Sequence, residues 1–428
     1  MDNSEFPLLD PTFTAHLSDV PGTGLSSLWS KAFLGRGFAA LGAELIERVR
    51  QRGNPRALLD LSNVLQLEFQ RDTALKAQAM ALKEQRLYRV AGSRSADALH
   101  LLVLKVAGDL MCNTPFELLL DDYDLNVDVL YVDAGLPLPA VLPDHDVLWV
   151  VVAESDANRV LLEELGALLA HWPRPVLNQP ALIARLSRDV SCMTLSDAPG
   201  VMMPKTVRVS RIALEQLAAG VVLPAALLAG VRFPLIVRPV GSHAGSGLVK
   251  IECAEQVNGY LEEQSAAMFF LSPFIDYASK DGLYRKFRLV LIDGKPYLCH
   301  MGISEHWMVH YPYEEMMAQA SRRTEEASVM TLFERDFAQR HALALGTIQQ
   351  RIGLDYWGLD CAETPDGRLL IFEVASAMVI HRMDPTDVFP YKVRQMTQVF
   401  AAFYRLLELV AGRSHSGLPR ERGPFGDA

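Results

Sequence analysis

"FPLIVRPVGSHAGSGLVKI", residues 233–251, is the stretch on which the reading of this chain turns. An apolar strand runs into Arg238, a loop follows with glycines at 241, 245 and 247, and a second apolar strand begins. Such a loop can be a plain turn. It can also bring backbone N–H groups up to a phosphate, because glycine permits close approach and Ser242 and Ser246 add hydroxyl donors. What lies on either side has to decide between the two.

The whole chain narrows the choice. Its 428 residues exceed one ordinary core, so two or three domains are expected. Half of the residues are apolar and 21% are charged, a globular composition. No run of about 18 uncharged apolar residues occurs, and the acidic start "MDNSEFPLLD" lacks the regions of a signal peptide. A soluble, cytoplasmic protein without membrane contact is expected. Five scattered cysteines with no CxxC pair suggest reduced thiols and no zinc site. A net charge of −10 argues against nucleic acid as a general partner, since counterion displacement needs a basic surface.

Five regions are expected. Residues 1–24, rich in Pro, Asp, Ser and Thr, form an arm. Residues 25–95 form a helical extension, an antiparallel hairpin read through Val90 that resembles one tetratricopeptide-type unit or is a plain helical cap. Residues 96–210 carry apolar strands at "LHLLVLKVAG", "VDVLYVD" and "HDVLWVVVAES", then a helix, which implies an α/β domain with a parallel sheet covered on both faces. Residues 211–412 carry the opening stretch, then strands at "AMFFLSPFID", "YRKFRLVLID", "KPYLCHMGIS", "GLDYWGLDCAE" and "RLLIFEVAS", the last two joined by the "TPDG" turn. A long polar helix is expected over about 313–351. Residues 413–428 form a disordered tail.

This order of pieces resembles the ATP-grasp superfamily over residues 99–409, and "VLN" and "PKT" resemble the branch containing the ribosomal S6 modification enzyme and glutathione synthetase. The resemblance implies an α/β (α+β) ATP-grasp fold behind a parallel-sheet domain, with ATP and Mg2+ as cofactors. It also implies site residues. Arg238 stands where many members carry a phosphate-binding lysine, and its planar fork suits phosphate oxygens; a surface ion pair is the plainer use. The loop Gly241, Ser242, His243, Gly245 and Ser246 would cradle phosphates. Arg188 would touch them from the helix ahead of "PKT". The adenine edge would be read at a hinge over Ser272, Phe274 and Ile275.

Arg288 would face the transferred phosphoryl group, where a cation neutralises developing charge. Period-2 alternation puts Lys286 on the same strand face. Asp360 and Glu373, on strands joined by a tight turn, would hold magnesium, which takes hard oxygen ligands and bridges to phosphates. The family's asparagine after the second acid is absent; this chain has Ala375, so Ser376 is the candidate third ligand. "CHMGISEHWMVHY" and the segment after Glu373 supply substrate-side candidates, His300, Ser304, His306, Trp307 and His381, each of which also suits a structural role.

Two functions follow from the resemblance. One is an ADP-forming ligase that joins a small-molecule or peptide carboxylate to an amine or other nucleophile through an acyl phosphate. The other is a nucleotide-binding pseudo-enzyme or scaffold, or a kinase-like member with a non-carboxylate acceptor. The helical extension would dock a peptide or partner, or form a homodimer interface.

Overall fold

The computed structural model describes residues 9–14, 24–52, 54–93, 95, 97–120, 123–243, 245–310 and 312–412. Most of the expected arm and all of the expected tail lie outside these residues. Within the arm, Leu9–Thr14 is a strand, paired in parallel with Leu138–Val141.

The chain is a mixed α/β protein built on three larger sheets. In the first, Leu125–Val132, Leu99–Val106, Val147–Val150 and Val176–Leu177 lie parallel in that spatial order. Their continuous apolar runs are explained by burial on both faces. Leu102, Leu104 and Val106 pack into one core with helix Arg159–Leu169. The alternate residues Leu101 and Val103 pack into another, with Phe400 and Phe403 of helix Pro390–Val410.

This sheet also has an antiparallel edge. The helical reading through Val90 holds only to Glu84. Leu87–Ala91 is a strand on Leu125–Val132 instead, with Leu87 and Tyr88 both buried. Pairing outweighs helical periodicity because it satisfies the backbone of the sheet edge while burying an aromatic residue.

The second sheet is antiparallel, in the order Val249–Ile251, Leu235–Pro239, Met268–Pro273, Val207–Ser210. Helices Arg211–Ala218 and Glu255–Glu263 close its own core. The third sheet runs Lys295–Ser304, Tyr284–Ile292, Tyr356–Glu363, Leu369–Ala375, Val201–Met202. Leu289 and Leu291 enter one large core while Val290 and Ile292 enter the other, so the third sheet is fused to the first through both.

The single polar helix expected over 313–351 is four helices: Tyr313–Ala318, Ala320–Leu332, Phe337–Arg340 and Ala342–Ile352. The break near residue 335 places Phe333 and Phe337 beneath the sheet, with Phe337 4.6 Å from the Phe287 ring. All five cysteines are free. Among the described residues no helix is long and apolar enough to cross a membrane.

Candidate functional site

Between the second and third sheets lies a cavity of about 510 Å³. Its floor is a row of side chains across four strands of the third sheet: His300 opposite Arg288, Arg288 opposite Asp360, Asp360 opposite Glu373. All four line the cavity. The strand register slips just after Arg288 and again just after Asp360. Such irregularities commonly re-aim side chains beside functional sites.

The row is densely ion-paired. Arg288 donates from Nε and Nη2 to the two Asp360 oxygens at 2.8 and 3.0 Å, and Lys286 Nζ lies 2.7 Å from Asp360 Oδ2. Asp360 is 1% exposed. Burial would raise its carboxyl, but Lys286 and Arg288 hold it far below the usual carboxylate range. Glu373 is treated likewise. Burial opposes its charge, and Arg188, with Nη2 at 2.6 Å from Oε1, holds it ionised. Arg188, the first residue of helix Arg188–Leu195, also donates to the Phe372 carbonyl at 2.8 Å.

Arg238 comes from the opposite sheet and is 8% exposed. Burial, with Arg188 nearby, pushes its guanidinium down to about 10, so it stays charged at neutral pH. It donates to the Ser242 hydroxyl and carbonyl and so draws the glycine loop over the cavity. Gly247 has a φ of +63°, and a Cβ there would sit 2.7 Å from Pro239 Cδ, which is why glycine is required. Gly241, Ser242, His243 and Gly245 line the cavity. Ser246 does not; its N–H closes the turn on the His243 carbonyl.

Ser272, Phe274 and Ile275 line the cavity where Met268–Pro273 leaves its sheet. The Phe274 N–H is engaged by the Pro234 carbonyl. Lys250 lies 4.1 Å over the Phe274 ring, and Trp307 meets that ring edge-on at 5.6 Å. The Tyr277 hydroxyl donates to the Trp307 carbonyl at 2.5 Å, tying this connector to the loop after Lys295–Ser304.

Of the substrate-side candidates, His300, Trp307 and His381 line the cavity, and Ser304 and His306 do not. The Ser304 hydroxyl instead bonds Glu315 and accepts the His306 N–H, a loop-closing role. His310 takes the lining position. Burial and neighbouring cations keep His300 well below the ordinary histidine range and lower His310, while burial lowers His381. All three present neutral imidazoles at neutral pH.

Lys286, His310 and a group after the first sheet, Ala153 to Asp156, are further lining residues. The sequence carried a signal for the last group, since residues beyond the carboxyl ends of parallel strands line ligand crevices. Arg208 binds Asp156 at 2.6 Å and Asp189 at 3.0 Å at this end. The Glu154 carboxyl is pushed up to about 7 by burial, with Asp156 adding to it. Between the ordinary glutamate value of 4.5 and about 7, the unfolded chain releases this proton while the folded chain keeps it. Stability therefore falls as pH rises through that window. Glu154→Gln is expected to remove this decline, checked by urea unfolding midpoints near about pH 5 and about pH 8; an unchanged pH dependence would refute the assignment.

The acids also bear on magnesium. Among the described residues no cluster of three or more His, Cys, Asp or Glu could cage an ion. Magnesium, however, commonly takes one or two carboxylates and completes its shell with water and phosphate. Asp360 and Glu373 are adjacent and ionised, and the Ser376 hydroxyl, on a residue 2% exposed, is buried at the cavity with no hydrogen-bond partner. Ala375 offers no ligand atom. The donor set fits an ion that arrives with a nucleotide and does not fit a self-sufficient cage.

No family model and no curated protein matches the chain. Solved structures similar to it include a RimK-domain ATP-grasp protein from Sphaerobacter thermophilus, at 15% identity and a TM-score of 0.41, covering 72% of this chain and 99% of that one. A D-Ala:D-Ser ligase from Enterococcus faecalis matches at 12% identity and 0.45, covering 73% and 100%. A D-alanine–D-alanine ligase from Bacillus anthracis, complexed with ATP, matches at 13% and 0.41, covering 71% and 99%. At these identities the likeness is one of fold and carries no substrate with it.

Proposed function

We propose that this protein is an ATP-grasp ligase that forms ADP while joining a carboxylate to an amine or other nucleophile. The observation that carries this reading is the convergence on one cavity of four cations, Arg188, Arg238, Lys286 and Arg288, with two adjacent ionised acids beneath a glycine loop. A polyphosphate chain meets such cations through charge-assisted hydrogen bonds.

In this mechanism the loop N–H groups and Arg238 hold the phosphates, and Arg188 exchanges Glu373 for a phosphate oxygen. Asp360, Glu373 and the Ser376 hydroxyl would hold magnesium, which supplies neutralisation of phosphate charge and alignment of the γ-phosphoryl group. The substrate carboxylate oxygen attacks the γ-phosphorus, the bond to ADP breaks, and an acyl phosphate results. An amine then attacks the acyl carbon and phosphate leaves with the electron pair of the broken C–O bond. Arg288 would neutralise the oxyanion of the tetrahedral intermediate. The His310 imidazole, less strongly depressed than His300, can take the amine proton.

Incubation with ATP, magnesium and pools of carboxylates and amines tests this reading, with ADP release followed and acyl phosphate trapped by hydroxylamine. Release that depends on a carboxylate, with a hydroxamate formed, is expected. Ala375 in the asparagine position favours a second reading, a nucleotide-binding scaffold, for which nucleotide would bind without turnover in any pool. Absence of nucleotide binding would end both.

A further inference from the structure

Phe33 is the last residue of helix Leu25–Phe33, far ahead of the segments that carry the site, yet it lines the cavity. Its ring lies 5.6 Å from Tyr313, edge-on at 78°, and 5.6 Å from His381 at 51°. Tyr313 in turn stands 6.2 Å from the buried Phe389. The ring is thus flanked by helix Tyr313–Ala318 and by His381, in the segment after strand Leu369–Ala375.

A continuous path joins this wall to the charged row. From Glu373 the chain runs through Met378 and Val379 to His381, all of them cavity-lining. The Val379 carbonyl accepts from Arg288 Nη1 at 3.4 Å. Met378 is held against Gly358, two residues before Asp360, so closely that a Cβ there would sit 2.4 Å from its sulfur. Met111, from the turn after Leu99–Val106, also lines the cavity. Along this path the lining passes from the Arg188 and Arg288 guanidinium groups to Met378, Val379 and the Phe33 ring, beside an imidazole that burial keeps uncharged.

We propose that Phe33 is a specificity-determining wall of the substrate end of this cavity, and that the substrate seated there carries a bulky apolar side chain, aromatic or branched aliphatic, beside the carboxylate or amine facing Arg288. Which end receives the substrate rests on the ligase reading. The chemistry of the wall does not. Apolar pockets discriminate by how well a side chain fills them, and a mismatch of one methylene is worth about 10-fold or more in affinity. An edge-on aromatic partner adds to this for a ring-bearing ligand.

The test uses the full chain, titrated calorimetrically with alanine, leucine and phenylalanine, each as the free amino acid and as its N-acetyl derivative, and separately with ATP and magnesium. Affinity is expected to rise about tenfold or more from alanine to leucine or phenylalanine. Phe33→Ala should flatten that order and Phe33→Trp should invert it toward alanine, both with ATP affinity unchanged. A purely structural role would not give this inverse dependence on size, and Phe33→Leu serves if the alanine variant does not fold. No size preference in the wild type, or a preference untouched by all three substitutions, overturns the proposal. Size-graded binding without ATP binding would leave it standing while the ligase reading fails, and ATP binding without size preference would do the reverse.

Discussion

Glu373→Gln is expected to abolish magnesium-dependent turnover, a loss on the order of 10²–10³ or more, while the fold persists. Glutamine keeps the shape but offers a neutral oxygen where a hard cation needs a charged one. Arg188 loses its partner but keeps the Phe372 carbonyl, and its side chain is 21% exposed, so the unpaired charge can reach water. ADP release and the magnesium dependence of ATP affinity measure the effect, with circular dichroism to check folding. Unchanged magnesium dependence would rule Glu373 out as a magnesium ligand.

Asp360→Ala should act on stability more than any other single change in the site. Asp360 is the common counter-charge of Lys286 and Arg288, whose side chains are only 13% and 19% exposed. Removing one member of a buried ionic group leaves uncompensated charge and costs about 3–5 kcal/mol. Urea unfolding of nucleotide-free protein reads this directly; a loss below about 1 kcal/mol, the range of exposed pairs, would mean that both cations are hydrated. Because the Asp360 carboxyl is held below its ordinary value, its contribution is present at neutral pH and is lost only as pH falls below the usual aspartate range.

Residues whose partners lie on neighbouring strands were the legible part of this site. Alternation placed Lys286 and Arg288 on one face, and the "TPDG" turn set Asp360 beside Glu373. Pairings over long separations left no local trace. Arg188 and Glu373 are brought together only by the packing of a helix against the third sheet, and Phe33 reaches His381 only through the placement of the N-terminal helices. The breaks in the polar helical segment were illegible for another reason. No proline occurs within 313–351, and the demand that bury Phe333 and Phe337 comes from the sheet above them. The slips after Arg288 and Asp360 are likewise invisible to a strict period of two.

The strand Leu87–Ala91 has a further consequence for how the chain can be dissected. By lying along Leu125–Val132 it caps that edge of the parallel sheet, and it is attached directly to the helices that deliver Phe33. A fragment beginning after it would present a row of bare amides and carbonyls on a largely apolar strand, a template for edge-to-edge aggregation. The N-terminal helices and the sheet behind them are therefore bound into one solubility unit, and cutting the chain there would trade a folded protein for a sticky one.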